Sequence, residues 1–148
     1  DNDIVLDTEI NFNDRSLIPD TYIPAANERL KIYRSLNDAK TYKEIDLIFE
    51  DLKDRCGKPN DDLLNLIDTS KLKILANQLG VKKIYSNQQN AMITFDTKLH
   101  DNVYQKLIRL IQSEFAKIKL TNENKVALDV SDSKNKRSAV RELLNELK

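Results

Sequence analysis

Pro19 and Pro24, set five positions apart in Leu17-Ile18-Pro19-Asp20-Thr21-Tyr22-Ile23-Pro24, restrict this chain more than any other stretch. A proline ring clashes with the backbone of the residue before it, so Ile18 and Ile23 are held out of the helical region. The pattern predicts an extended, partly apolar strap running directly into a helix. Pro24 suits the first turn of that helix, where its missing N–H costs nothing. Asn27-Glu28-Arg29-Leu30 and Tyr33 follow at once. The helix is expected to reach about Asn37, with Ala26, Leu30, Tyr33 and Leu36 on its inner face.

Ahead of the strap, Ile4-Val5-Leu6, Ile10 and Phe12 form a β-prone run. Behind the first helix, Thr41-Tyr42-Lys43-Glu44 reads as a capping box that opens a second. Ile45, Ile48, Phe49 and Leu52 then recur at i, i+3, i+4 and i+7. Gly57 supplies a left-handed stop and Pro59 forbids continuation. Asn60 or Asp61 starts a third helix containing Leu64, Ile67, Leu75 and Leu79, and Gly80 ends it. The chain has only two glycines, and both stand where a helix end wants positive φ.

After Gly80 the texture changes to short apolar runs separated by polar loops. Lys82–Tyr85 and Ala91–Phe95 flank Ser86-Asn87-Gln88-Gln89-Asn90, a hairpin with a five-residue loop. A short helix carries Val103, Leu107, Ile108 and Ile111. Ala116, Ile118 and Leu120, then Thr121–Asn124, then Val126, Leu128 and Val130 read as a second, half-buried hairpin. Val140, Leu143, Leu144 and Leu147 lie on one face of a last helix. The expectation is a single α+β domain over residues 1–148: a strand, a three-helix unit, and two β-hairpins alternating with helices around a largely antiparallel sheet. No linker divides it.

The 148 residues suit one domain, and no stretch approaches the ~18 apolar residues of a membrane span. Asp-Asn-Asp at the start has neither a methionine nor a signal-peptide pattern, so the chain is read as a piece of a longer protein. With Cys56 as the one cysteine, a reducing cytoplasm is the natural setting. The zero net charge is uneven. Residues 1–62 carry 9 basic against 15 acidic side chains, and residues 63–148 carry 15 against 9. The front half would repel nucleic acid and suits a basic protein surface; mutual neutralisation of the two halves within one fold is the bland alternative. The basic half, with Lys82, Lys83, Lys117, Lys119, Lys134, Lys136, Arg137 and Arg141, offers a second reading as a nucleic-acid- or polymerase-binding module. Its aromatics Tyr85, Phe95, Tyr104 and Phe115 fit core or strand positions as well.

Catalysis has little to work with. Two glycines cannot build a phosphate loop. Cys56 and His100 are the only pair for nucleophilic chemistry, but Cys56 lies in line with a buried stripe and His100 in a polar loop. Zinc would need about four nitrogen or sulfur ligands. Asp61-Asp62 is explained by an N-cap and a first-turn charge opposing the helix dipole. No catalytic, cofactor or metal residue is therefore assigned, and a small hydrolase is disfavoured.

One arrangement stands out. On the second helix, Leu47, Asp51 and Asp54 fall opposite the apolar stripe, with Arg55 at their flank. A leucine rimmed by charges suits a contact patch; the alternative is a lone exposed leucine beside a surface i,i+4 pair.

The strap with its helix, then Asp54-Arg55-Cys56-Gly57-Lys58-Pro59 with Asn65-Leu66, then Leu79-Gly80-Val81-Lys82-Lys83-Ile84 occur in one order. Together they resemble the C-terminal domain of bacterial transcription-repair coupling factors (the Mfd or TRCF family), over most of residues 4–95. Cys56 for phenylalanine and a shortened Gly-Lys-Pro turn depart from the family pattern. The resemblance implies a non-catalytic regulatory domain whose Asp51-Leu52-Lys53-Asp54-Arg55 segment faces the N-terminal repair-recruiting module of the same chain. It also implies that this docking masks the surface recruiting the UvrA subunit of the excision nuclease until the motor engages stalled RNA polymerase. ATP, Mg and double-stranded DNA would belong to upstream translocase domains of the parent. The isolated domain is expected to be a monomer in the bacterial cytoplasm, with no membrane partner.

Overall fold

A computed structural model describes residues 7–113 and 117–148. Ile4, Val5, Leu6, Phe115 and Ala116 lie outside the described residues. The element order is β1 (Glu9–Asn11), α1 (Ala26–Asp38), α2 (Tyr42–Cys56), α3 (Asp61–Gln78), β2 (Val81–Ser86), β3 (Asn90–Phe95), α4 (Asp101–Ser113), β4 (Ile118–Asn122), β5 (Lys125–Asp129) and α5 (Lys136–Leu147). This is the expected α+β succession. The chain groups into two compact units, residues 14–74 and residues 1–13 with 75–148. The division falls inside α3, between Ile74 and Leu75, and no linker marks it.

The helical unit packs the strap, α1, α2 and the first part of α3 around Ile18, Ile23, Ile32, Leu36, Ile45, Leu52, Leu63 and Ile67. The strap is not fully extended. Pro19 O accepts from the N–H groups of Tyr22 and Ile23 at 3.0 and 3.1 Å, closing a turn between the prolines. That turn lets both Ile18 and Ile23 reach the core, at 3% and 2% exposure. Pro24 precedes the N-cap Ala25 rather than entering the first turn.

The inner face of α1 differs from the expected one. Ile32 and Leu36 are buried, Tyr33 is half-buried, and Ala26 and Leu30 face solvent. Two polar anchors set this rotation. Arg29 Nη1 donates to the carbonyls of Ile23 and Pro24 at 2.7 and 2.8 Å. Tyr33 Oη accepts the Ile18 N–H at 2.7 Å.

In α2 the capping prediction holds in its first half: Thr41 Oγ1 accepts from Glu44 N at 3.2 Å. The Glu44 carboxylate reaches past Thr41 to the Lys40 N–H at 2.5 Å. Gly57 ends the helix at φ 87° and Gly80 follows α3 at φ 72°, conformations that a Cβ disfavours. Asn60 caps α3 by accepting from Leu63 N at 3.1 Å, and Leu63 rather than Leu64 is buried.

In the sheet unit the strand order is β1-β2-β3-β5-β4. Only β1 and β2 are parallel, as two strands joined by a long crossover can be. The β2–β3 loop is shorter than expected, Asn87–Gln89, because Ser86 still pairs with Ala91. Asn87 Oδ1 accepts from Gln89 N and Asn90 N, both at 2.8 Å, a side-chain-closed turn. The row Ile84, Ile93 and Val126 is fully buried and belongs to the core face. Leu110 of α4 and Ala139 and Leu143 of α5 line one cavity with Ile118 and Leu128 of the sheet, which puts both helices on that face. Along β5, Val126, Ala127 and Leu128 are all buried, so burial does not alternate there as expected, although the pairing register stays regular.

Candidate interaction site

The exposed side of α2 is built by its own periodicity. Ile45 and Leu52 are buried, with Ile48, Phe49 and Cys56 packed against the same core. Leu47, Asp51, Asp54 and Arg55 all face solvent, and Leu47 is 61% exposed. The four residues expected to form a patch thus share one face.

They are not equivalent. Arg55 Nε donates to Asp51 Oδ2 at 3.0 Å, and its Nη1 donates to Glu28 Oε1 of α1 at 3.0 Å. The hydrogen bond to Glu28, then that to Asp51, holds the guanidinium proton more firmly than usual. Arg55 is therefore a clasp between two helices as well as a rim residue. Glu28 was missed by sequence reasoning, since a first-turn acid is explained by the helix dipole alone.

On the opposite margin Asp46 pairs with Lys71 of α3 at 2.5 Å, and Glu50 pairs with Lys53 at 2.8 Å. Lys53 also sits over the Phe49 ring, 4.5 Å from its centroid. Between these margins Asp54 has no ion pair or hydrogen bond among the described residues. An exposed leucine and an unneutralised carboxylate stand at the centre, and paired acids surround them. Such a surface can seat an apolar contact and a cation together.

Cys56 is half-buried on the helical unit's core, as a small filler would be. His100 is exposed in the other unit, and its carbonyl accepts from Tyr104 N at the start of α4. Asp61 and Asp62 lie in the first turn of α3, where Asp62 accepts from Arg15 Nε at 2.9 Å. Among the basic residues, Arg137 is corrected: it is 7% exposed and stacks over Phe12 at 4.6 Å, so it is spent inside the sheet unit. Lys136 donates to Asn87 O at 3.0 Å. Phe95 is buried, whereas Tyr85 and Tyr104 are 39% and 40% exposed.

Comparison with known proteins adds the following. Residues 13–106 match the sequence model of the TRCF domain. The chain is 33% identical over 142 residues to the transcription-repair-coupling factor of Escherichia coli (strain K12), covering 95% of this chain and 12% of that protein. It is 35% identical over 106 residues to the protein of that name from Buchnera aphidicola subsp. Acyrthosiphon pisum (strain APS), covering 72% and 13%. A crystal structure of the C-terminal domain of transcription-repair coupling factor superposes with a TM-score of 0.73 at 17% identity, covering 95% of this chain and 91% of that one. The chain thus spans about an eighth of the length of the relatives it matches. Among the described residues, no helix is long and apolar enough to cross a membrane.

Proposed function

We propose, for a chain that belongs to the transcription-repair coupling factor family through its TRCF domain, that residues 1–148 act as one non-catalytic regulatory domain of a longer protein. The exposed face of α2 docks on a basic surface of that protein's N-terminal module and masks the site that recruits UvrA. Engagement of stalled RNA polymerase by the motor releases it. ATP, Mg and double-stranded DNA are handled by the rest of the protein, not by this domain.

The observation that carries this reading is the pairing pattern on α2. Leu47 is exposed and Asp54 has no ion pair or hydrogen bond among the described residues, while Asp51, Glu50, Asp46 and Arg55 are tied within the helical unit. Masking follows from population arithmetic: if about 90% of the protein is closed, opening it raises apparent affinity for the recruited subunit about tenfold without touching the recruiting site.

The test is UvrA affinity measured on the full-length protein, on an Asp51→Ala/Asp54→Ala double variant, and on a truncation lacking this domain. The double variant should bind more tightly than the intact protein and approach the truncation. If truncation exposes the site but the double variant behaves like the intact protein, masking stands and this choice of residues is wrong. If truncation has no effect, the masking reading is wrong.

A further inference from the structure

The sheet has a second face, independent of the α2 surface. Across it Lys83 pairs with Thr94 and Thr94 with Lys125. Two residues further along, Tyr85 pairs with Met92, Met92 with Ala127 and Ala127 with Lys119. The row between them, Ile84, Ile93 and Val126, points to the core. Side chains alternate along strands, so these two rows share the face turned away from α4 and α5. Its middle is shallow and apolar: Thr94 and Ala127 are covered, Met92 is half-buried, and Tyr85 stands 39% exposed. Lys83, Lys119 and Lys125 frame it, all exposed. None of the three has an ion pair or side-chain hydrogen bond among the described residues. Lys83 and Lys125 stand two strand spacings apart, roughly 10 Å.

Glu9 apart, the other polar groups of this face that bear on it are engaged locally. Glu9 lies at one margin, beside Lys83. Asp129 lies at another, where the Ser131 hydroxyl and N–H donate to it at 2.6 and 2.9 Å. Asn13 Nδ2 donates to Tyr85 Oη at 3.1 Å and to Ser86 O at 2.9 Å, which fixes the ring. Asn11 Oδ1 accepts from Asn13 N, and Asn122 Oδ1 from Asn124 N.

We infer that this face binds single-stranded DNA, with a base stacked on Tyr85 beside Met92 and phosphates held by Lys83, Lys119 and Lys125. An anchored aromatic inside a frame of lysines that form no ion pair among the described residues supplies the two elements of such binding, a stacking platform and phosphate contacts. An acidic peptide would satisfy the lysines but brings no ring face for Tyr85. A duplex hides its base faces. RNA differs by a 2′-hydroxyl, and the Asn11 and Asn122 side-chain oxygens that could accept from it already accept from the Asn13 and Asn124 N–H groups.

Fluorescence anisotropy of a labelled oligothymidylate titrated with the 148-residue chain tests this. Three phosphate contacts predict a slope of log affinity against log salt of about −2, an affinity loss of about twentyfold between 50 and 200 mM. Lys125→Ala should make the slope shallower by about 0.7. Tyr85→Ala should weaken binding about fivefold to a hundredfold, and Tyr85→Phe should retain it. Lys31→Ala, on α1, should change nothing. No binding at 50 mM salt, or Tyr85→Ala binding as tightly as the original chain, overturns the inference. So does an equal effect of Lys31→Ala, displacement by polyglutamate at equal charge concentration, or tighter binding of oligouridylate.

Discussion

α1 and α2 are neighbouring helices of similar length, yet their inner faces are determined differently. In α2, Ile45, Ile48, Phe49, Leu52 and Cys56 form a continuous stripe, and all five pack on one core. No rotation of that helix buries a better set. In α1 the apolar residues are spread around the circumference. A face through Ala26, Leu30, Tyr33 and Leu36 competes with one through Ile32, Tyr33 and Leu36, and hydrophobic area alone separates them poorly. The choice is made by groups outside the helix, through Arg29 on the strap carbonyls and Tyr33 on the Ile18 N–H. Periodicity decides a helix's rotation when the stripe is dense; where it is sparse, polar anchors decide.

The largest effects should come from paired truncations on the two helices. Leu52→Ala and Ile32→Ala, at 1% and 7% exposure, should each cost about 2–5 kcal/mol in chemical denaturation. Leu30→Ala, at 49% exposure, should stay within about 0.5 kcal/mol. If Leu30→Ala costs as much as Ile32→Ala, the rotation of α1 described above is wrong and the contrast between the helices disappears.

A smaller effect isolates the anchor. Tyr33→Phe keeps the ring but leaves the Ile18 N–H without its acceptor, which should cost about 1–3 kcal/mol. An unchanged unfolding midpoint would mean that the apolar residues of α1 suffice, as they do in α2.

The smallest effect concerns the strap's tie to α2. Tyr22 Oη lies 3.1 Å from Leu52 O and 2.7 Å from Gly57 O. Burial, and after it the nearby Cys56, pushes the phenol above its ordinary value of 10.0. A group whose folded pKa is raised contributes stability below its unfolded pKa and loses it as pH rises through the folded value. Unfolding midpoints should therefore fall more steeply above about pH 10 for the original chain than for Tyr22→Phe. Parallel profiles would remove Tyr22 from the account of the strap.

Much of the exposed face of α2 was legible for the reason that separates the helices. A dense stripe on α2 leaves its opposite side determined, so Leu47, Asp51, Asp54 and Arg55 could be placed together on one face. That Arg55 also clasps Glu28, 27 residues away, is set by how α1 and α2 approach, and no local pattern encodes it. The basic half shows the same limit. Arg137 and Lys119 are both cations near apolar residues, yet one lies over Phe12 and the other is exposed on the sheet.

The order of elements, the stops at Gly57 and Gly80, the Thr41 cap and the buried stripe of α2 were determined by the sequence itself. Each depends on sterics or periodicity within a few residues. The turn in the strap, the rotation of α1, the helix-bridging role of Arg55 and the face shared by Lys83, Tyr85, Lys119 and Lys125 were decided only by tertiary structure. In each case the deciding partner lies on another element, and which partner arrives there is a property of the packed chain.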